Sequence, residues 1–308
     1  MSSYRKIKKK SELFNPFPES VRQIAIVSPG SAPDKKLITD FCRNIAGLGI
    51  KTYLPENVFS PSLSRKIPVE PEKRAADFNR CLKKKGIDLI IASRGGFGSV
   101  QILEKINWEL LKEKKIPVLG YSDLTALHLA MIRKNAGIPV SSPMADKFFS
   151  ATRYPLTANS LRIALQPDMK RRMIYNSPNI EVIRKKSAKG AIMPVNLTVF
   201  TSMIGSKFMP STKGFILLVE DIAEQEYKIE RMLTQLEMAG ILRKCSGLLF
   251  GKFTSCGSKS VLAGIFAKFA KYVSGPVLAG IDFGHVRKRL CFRYGRNIEI
   301  TPDGRIIV

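Results

Sequence analysis

The sequence predicts an α/β fold because short apolar runs alternate with segments of helical spacing along most of its length. Strands that alternate with helices form βαβ units around a parallel sheet. The last twenty residues contain short apolar runs around Pro302-Asp303-Gly304, a composition typical of a turn. We therefore expect an N-terminal flavodoxin- or Rossmann-like parallel-sheet domain, followed by a C-terminal mixed α/β domain with short antiparallel strands.

In the first half, each predicted strand is a short apolar run, and each predicted helix carries apolar residues on one face. Gly49 ends the first of these helices. The predicted strands are 23–28, 50–54, 87–92, 116–120 and one that begins at 138, and the predicted helices are 35–48, 71–85, one up to about 106, and 123–135. In a parallel sheet the ligand lies beyond the carboxyl ends of the strands. Polar turns at Pro29, Gly96 and Ser122 are expected to meet at that edge.

The second half follows the same pattern with fewer elements. The predicted strands are 214–219, 247–253 and 276–281, and the predicted helices are 223–239 and 259–273. A length of 308 residues accommodates one large domain or two modest domains. We divide the chain into a basic leader, an N-terminal domain, a connection and a C-terminal domain, at 1–22, 23–150, 151–189 and 190–308.

Composition limits the classes of protein to which the chain can belong. Its net charge of +26 suits an anionic partner, but the basic runs lack the interleaved aromatic residues that stack on bases, so we expect no nucleic-acid partner. No apolar run reaches the roughly 20 residues of a membrane-spanning helix. Five cysteines without paired or metal-like spacing predict neither disulfides nor a metal site. We expect a cytoplasmic protein that needs no cofactor.

Ser122 lies where a predicted strand meets a predicted helix. A serine at such a corner can project clear of the sheet, next to the free N–H groups of the first helical turn. An oxyanion that forms there would be stabilised by those groups. The alternative is a helix N-cap, because Ser and Asp are common at that position. The local sequence leaves both interpretations open.

The chain has only two histidines, so few residues can serve as a general base. His285 follows Gly284 in a polar turn after a strand, whereas His128 lies among leucines and is expected to be structural. An imidazole that accepts a serine proton needs an acidic residue to hold its tautomer. Glu220, at the end of a strand, is the candidate, although it could equally be a helix-cap acid beside Asp221.

Four blocks of sequence together resemble the muramoyltetrapeptide carboxypeptidase, or LD-carboxypeptidase, family, which also contains the microcin C immunity peptidases. The blocks are Arg94-Gly95-Gly96-Phe97-Gly98-Ser99, Gly120-Tyr121-Ser122-Asp123-Leu124-Thr125-Ala126-Leu127, the segment from Leu218 to Leu233, and Gly284-His285. The resemblance runs from about Ile24 to the C-terminus. It implies a homodimeric serine peptidase that removes a terminal D-amino acid from a murein-derived peptide.

The resemblance also assigns roles to individual residues. It implies Ser122 as nucleophile, Glu220 as the residue that orients the imidazole, and His285 as general base. The oxyanion would be bound by the backbone N–H groups of Gly96 and Asp123. Three further residues are candidates for substrate binding: Arg94, Phe97 and Asn196. Arg94 could bind the substrate carboxylate or hold its own loop through backbone carbonyls.

The sequence departs from the family pattern in places that affect the pocket. The family's Gly-Gly-Asn-Leu segment reads Pro194-Val195-Asn196-Leu197 here, and we expect Pro194 to stiffen a loop. The basic run Arg287-Lys288-Arg289 follows His285. Three functions stay open: an LD-carboxypeptidase, an immunity-type peptidase acting on a peptidyl or aminoacyl nucleotide, and a non-catalytic basic binding protein on the same scaffold.

Overall fold

The computed structural model describes residues 15–60, 70–166 and 173–308, and its strands form two sheets. The first sheet has the order β12-β5-β4-β3-β1-β2. Its strands are β1 (Gln23–Val27), β2 (Lys51–Tyr53), β3 (Leu89–Ala92), β4 (Pro117–Gly120), β5 (Ile138–Ser141) and β12 (Phe292–Arg293). Strands β1 to β5 pair in parallel, as the alternation of strand and helix predicts.

The second sheet has the order β6-β14-β13-β8-β9-β10-β11-β7. Its strands are β6 (Ile174–Tyr175), β7 (Glu181–Arg184), β8 (Ala188–Asn196), β9 (Phe215–Ile222), β10 (Gly247–Thr254), β11 (Val277–Ala279), β13 (Asn297–Ile300) and β14 (Ile306–Ile307). Strands β8 to β11 are parallel, and the flanking strands are antiparallel. The predicted fold class is therefore confirmed.

Helices pack against both sheets. They are α1 (Lys35–Gly47), α2 (Pro71–Lys83), α3 (Trp108–Lys114), α4 (Thr125–Lys134), α5 (Phe148–Thr152), α6 (Pro155–Leu165), α7 (Leu197–Ser202), α8 (Glu226–Met238), α9 (Ile241–Lys244) and α10 (Lys259–Ala270). The segment Ser99–Lys105 is a 3-10 helix. One apolar core runs from Leu127 on α4 to Phe200 on α7, so it joins the layers of the two sheets. None of the helices in the described residues is long and apolar enough to cross a bilayer.

The structure differs from the expected organisation in three segments. The segment 151–189, expected to be a connection, contains α6 and the strands β6 and β7. Strand β12 comes from the C-terminal part of the chain, but it pairs with β5 of the first sheet. Of the expected leader, residues 1–14 lie outside the described residues, while Phe17 and Val21 are buried in the core.

Pro194 lies in strand β8 rather than in a loop, so that expectation was wrong. Its registered partner is Leu218 on β9, and the pairing of β8 with β13 on the other side ends at Ala191. A proline cannot donate to a neighbouring strand and is tolerated where one side of the strand lacks a neighbour. The end of β8 therefore accepts a proline and still delivers Asn196 to the carboxyl edge of the sheet.

We predict that Phe250→Ala destabilises the protein by about 3–5 kcal/mol, because a buried aromatic side chain would leave a cavity. Phe250 is fully buried on β10, and its ring stacks on Phe266 with 3.9 Å between centroids. Denaturant unfolding measures the change. Met238→Ala, at a position that is 80% exposed, is the control and should change stability by less than about 0.5 kcal/mol. Equal effects of the two substitutions would contradict this account of the core.

Candidate active site

Ser122 lies at a sharp corner between β4 and the helices that follow. A 3-10 turn, Ser122–Leu124, precedes α4, and Ser122 itself has a φ of 61°. This left-handed conformation is unfavourable for a residue with a Cβ and is typical of strained functional corners. Neither Tyr121 nor Leu124, the residues at the N-cap positions, makes a side-chain cap bond. A strand-to-helix corner with this conformation is the arrangement of a nucleophile elbow.

The Ser122 oxygen meets an imidazole from the second half of the chain. Its Oγ lies 3.0 Å from Nε2 of His285, and Nδ1 of His285 lies 2.8 Å from Oε2 of Glu220. An Nδ1–H that donates to the carboxylate leaves Nε2 free to accept the serine proton. The structure therefore brings together the three residues singled out as a triad, although 163 residues separate Ser122 from His285.

Glu220 is delivered by β9, between two parallel neighbours, and is 1% exposed. Its second oxygen accepts a hydrogen bond from Nδ2 of Asn196 at 3.2 Å. Asp221, the next residue, accepts from the N–H and hydroxyl of Thr198 at the start of α7. Burial raises the pKa of Asp221, while these hydrogen bonds oppose the rise. The two neighbouring acids thus serve different partners, Glu220 the imidazole and Asp221 the helix.

Glycine is required beside His285 for two reasons. Gly284 has a φ of 115°, a region that residues with a side chain rarely adopt. A Cβ built on Gly284 would also lie 2.7 Å from Oε2 of Glu220, the oxygen that contacts His285. The dipeptide Gly284-His285 is therefore a packing requirement: only glycine lets the loop approach the carboxylate closely enough for the imidazole to reach it.

The glycine-rich loop after β3 is tied to the residue after Ser122. The carboxylate of Asp123 accepts from the N–H of Gly98 at 3.2 Å and of Ser99 at 2.9 Å. Asp123 is 4% exposed, and burial raises its pKa while these hydrogen bonds act in the opposite direction. Arg74 donates from the other side to the carbonyls of Pro29 and Gly98. Two buried side chains therefore fix the loop relative to the serine.

Small residues let this loop pack against the serine. A Cβ on Gly95 would lie 3.4 Å from the Ser122 oxygen, and a Cβ on Gly96 would collide with the hydroxyl of Ser31. Gly96 also has a φ of 111°. The glycine at 96 is thus explained by its backbone conformation and by Ser31.

Two family models match the chain. Residues 24–141 match the LD-carboxypeptidase N-terminal domain, and residues 189–300 match the LD-carboxypeptidase C-terminal domain. The chain belongs to the LD-carboxypeptidase family. This confirms the resemblance seen in the four sequence blocks, and it makes the chain a serine-type peptidase, that is, a hydrolase.

Individual relatives support the same family. The chain is 28% identical over 291 residues to a probable murein peptide carboxypeptidase of Bacillus subtilis, covering 92% of this chain and 90% of the relative. It is 25% identical over 291 residues to the murein tetrapeptide carboxypeptidase of Pseudomonas aeruginosa, covering 91% and 94%. Its fold is similar to that of the solved MccF structure in complex with glutamyl sulfamoyl guanosine, with a TM-score of 0.84, 20% identity and coverage of 94% and 96%.

The structure places the three substrate-binding candidates of this LD-carboxypeptidase differently from one another. Phe97 is 48% exposed on the glycine-rich loop, where it can contact a ligand. Arg94 is partly buried and lies near Asp146. Burial raises the pKa of the Asp146 carboxyl, and the positive charge of Arg94 acts in the opposite direction. Asn196 is 5% exposed and caps α7 while it donates to Glu220 and Asp221. The amide of Asn196 thus donates to both neighbouring acids, and its role in substrate binding stays a prediction.

The second histidine has no place in this site. His128 is fully buried on α4, and its Nε2 lies 3.0 Å from the carbonyl oxygen of Val118. Burial lowers its pKa to about 3, so the ring is neutral at physiological pH. No group of three or more His, Cys, Asp or Glu side chains suited to a metal ion occurs within the part of the chain that the structure describes.

Sequence reasoning missed Tyr121 and Arg289, which lie beside the triad. The ring of Tyr121 is 4.9 Å from that of His285, and the guanidinium carbon of Arg289 is 3.7 Å from the centre of the Tyr121 ring. Arg289 is only 1% exposed. Within the basic run Arg287-Lys288-Arg289, the first two residues are exposed and Arg289 is buried. The apolar residues Leu290 and Cys291 that follow Arg289 were too weak a signal to predict that Arg289 is buried.

We predict that Gly284→Ala lowers the reactivity of Ser122 about 100-fold, because displacement of a catalytic group by about 1 Å has an effect of that size. The measurement is the rate at which a fluorophosphonate reagent labels the serine. Gly264→Ala is the matched control, because a Cβ there meets no atom within 4 Å and alanine should stabilise α10 by about 0.5–1 kcal/mol. A folded Gly284→Ala protein that labels at the wild-type rate would refute the packing argument.

Proposed function

We propose that this protein is an LD-carboxypeptidase that hydrolyses the amide between an L-configured centre and a terminal D-amino acid, as in murein tetrapeptide, and acts in cell-wall recycling. The observation that carries the proposal is the chain of contacts from Ser122 through His285 to Glu220. The names of the relatives from Bacillus subtilis and Pseudomonas aeruginosa, a murein peptide and a murein tetrapeptide carboxypeptidase, support this choice of substrate.

In the proposed reaction, the Ser122 oxygen attacks the carbonyl carbon while its proton passes to Nε2 of His285. The imidazolium that forms is stabilised by the buried Glu220 carboxylate at 2.8 Å. His285 then gives the proton to the leaving nitrogen, the C–N bond breaks, and the D-amino acid departs as a free amine. A water molecule, deprotonated by the same imidazole, attacks the acyl-enzyme and restores the serine hydroxyl.

The negative charge on the carbonyl oxygen needs donors that are in place before the reaction. We assign this role to the backbone N–H groups of Gly96 and Asp123. The Asp123 side chain supports the assignment because it binds the N–H groups of Gly98 and Ser99, so the loop that carries one donor is attached to the residue that carries the other. Such coupling keeps the spacing of the two donors fixed.

We also propose a homodimer in the cytoplasm. The five cysteines of the sequence are all free in the structure, and four of them are buried, as suits a reducing compartment. The homodimer is proposed from the family resemblance. Sedimentation analysis of the purified protein would test the oligomeric state.

We predict that Ser122→Ala lowers the rate of D-alanine release from murein tetrapeptide by about 10⁴-fold or more, since the nucleophile and its base act as a unit. Mass analysis of the product measures the release. Ser202→Ala removes an exposed hydroxyl on α7 and should keep the wild-type rate. Substantial release by a folded Ser122→Ala protein would exclude the mechanism.

The main alternative is an immunity-type peptidase that cleaves an aminoacyl or peptidyl nucleotide. It is favoured by the net charge of +26, which attracts phosphate-bearing molecules. A non-catalytic basic protein that binds nucleic acid or another anionic polymer on the same scaffold is a further alternative.

We predict that kcat/KM for murein tetrapeptide exceeds that for an aminoacyl nucleotide. The cavity beside His285 has a volume of about 260 Å³, which is below the roughly 300–1,000 Å³ of typical drug-sized ligand sites. A cavity of this size suits a single amino acid better than a nucleotide. Assays with both substrates under the same conditions give the comparison. A higher value for the nucleotide would favour the immunity-type function. DNA binding that weakens steeply with salt, without peptidase activity, would favour the binding protein.

A further inference from the structure

A cavity of about 260 Å³ opens directly against the imidazole of His285. Its walls include Tyr121, His285 and three cationic residues, Lys147, Arg287 and Arg289, and none of its described lining residues is acidic. The position of the cavity has a mechanistic meaning. The general base must later protonate the leaving nitrogen, so the leaving group occupies the space on the imidazole side of the serine.

The leaving group of a carboxypeptidase is a single amino acid with a free α-carboxylate. One amino acid is small enough for a cavity of this volume. The carboxylate carries a full negative charge, and binding it away from bulk water requires compensating charge or donors. The cavity wall holds positive charge on three side chains, which matches that requirement.

Arg289 is the unusual member of this wall. It is 1% exposed, and its guanidinium lies between the rings of Tyr121 and Phe283, with distances of 3.7 and 5.2 Å to the ring centres. Nη2 donates to the hydroxyl of Ser141 at 3.3 Å, whereas the buried Nε and Nη1 have no hydrogen-bond partner among the described residues. No acidic side chain within the described ranges forms an ion pair with Arg289.

A buried cation without a carboxylate partner is costly and usually indicates a function. The low-dielectric wall increases the reach of its charge into the cavity. Arg287, two residues earlier and exposed at the mouth, supplies donors that a ligand can reach directly. Arg94 is a poorer candidate, because its charge acts on the buried carboxyl of Asp146.

We propose that this cavity binds the α-carboxylate of the departing D-amino acid, with Arg287 as the donor at the mouth and Arg289 as the buried positive charge that selects it. The proposal rests on the proposed function, because it assumes a leaving group with a free carboxylate. It replaces Arg94 as the residue that recognises the chain end, and it assigns a function to two residues of the basic run after His285.

The test compares two ligands that differ only at their C-terminus, an L,D-tetrapeptide with a free carboxylate and the same peptide with a carboxamide. Titration calorimetry with the Ser122→Ala protein measures binding without turnover. We expect the acid to bind at least about tenfold more tightly than the amide, as suits a charge-assisted contact. Equal binding of the two ligands would overturn the proposal.

Variants then locate the selectivity. In the Ser122→Ala background, Arg289→Met and Arg287→Gln should each reduce the preference for the acid to less than about threefold. Arg243→Gln, which removes an exposed charge paired with Glu237, and Arg94→Gln should retain the full preference. Loss of the preference in Arg94→Gln, or its retention in Arg287→Gln, would overturn the assignment. If Arg289→Met does not fold, the comparison of the acid with the carboxamide and the effect of Arg287→Gln still test whether the cavity binds the carboxylate.

Turnover by the wild-type protein separates this proposal from the proposed function. Failure to release D-alanine from tetrapeptide, together with a retained preference for the acid, would reject the function and keep the anion site. Normal release together with equal binding of acid and amide would reject the anion site and keep the function.

Discussion

The site depends on one imidazole that joins two sheets. His285 contacts Ser122, which follows β4 of the first sheet, and Glu220, which ends β9 of the second. Neither sheet holds a complete site. The shared core between α4 and α7 fixes the two sheets relative to each other, and that core sets the distances among Ser122, His285 and Glu220. Packing far from the serine is therefore part of the geometry of the site.

Buried charge surrounds this imidazole in an ordered way. Glu220 and Asp123 are each nearly inaccessible to solvent, and each is satisfied by hydrogen bonds from the protein. Such groups do not reorganise when charge develops nearby, and fixed dipoles of this kind stabilise a transition state effectively. Arg289 differs from them because two of its nitrogens lack a partner. The contrast between satisfied acids and an unsatisfied cation suggested a role for the cation in ligand binding.

Much of the fold could be predicted from the sequence, because the continuous apolar runs of β1, β3 and β9 differ clearly from the one-sided apolar pattern of the helices between them. The three candidate triad residues could be singled out because only two histidines exist, one of them, His128, lies on an apolar helix, and the surrounding blocks resemble the LD-carboxypeptidase family. Short antiparallel strands were predicted in the C-terminal tail, but the pairing of β12 with β5 was not, since two residues carry little signal and their partner is about 150 residues away in the chain. Arg289 was missed because a run of basic residues looks solvated, and only tertiary packing shows that one of them is buried between aromatic rings.

The chain enters and leaves the segment that carries His285 through different sheets. Strand β11 precedes it in the second sheet, and β12 follows it in the first, antiparallel to β5. The segment that carries His285 is therefore attached at one end to the second sheet and at the other end to the first sheet. A shift of one sheet against the other would move His285 relative to Ser122. The alignment of His285 with Ser122 and Glu220 therefore depends on how the two sheets are placed relative to each other, and neither half of the chain alone would contain both attachments of this segment.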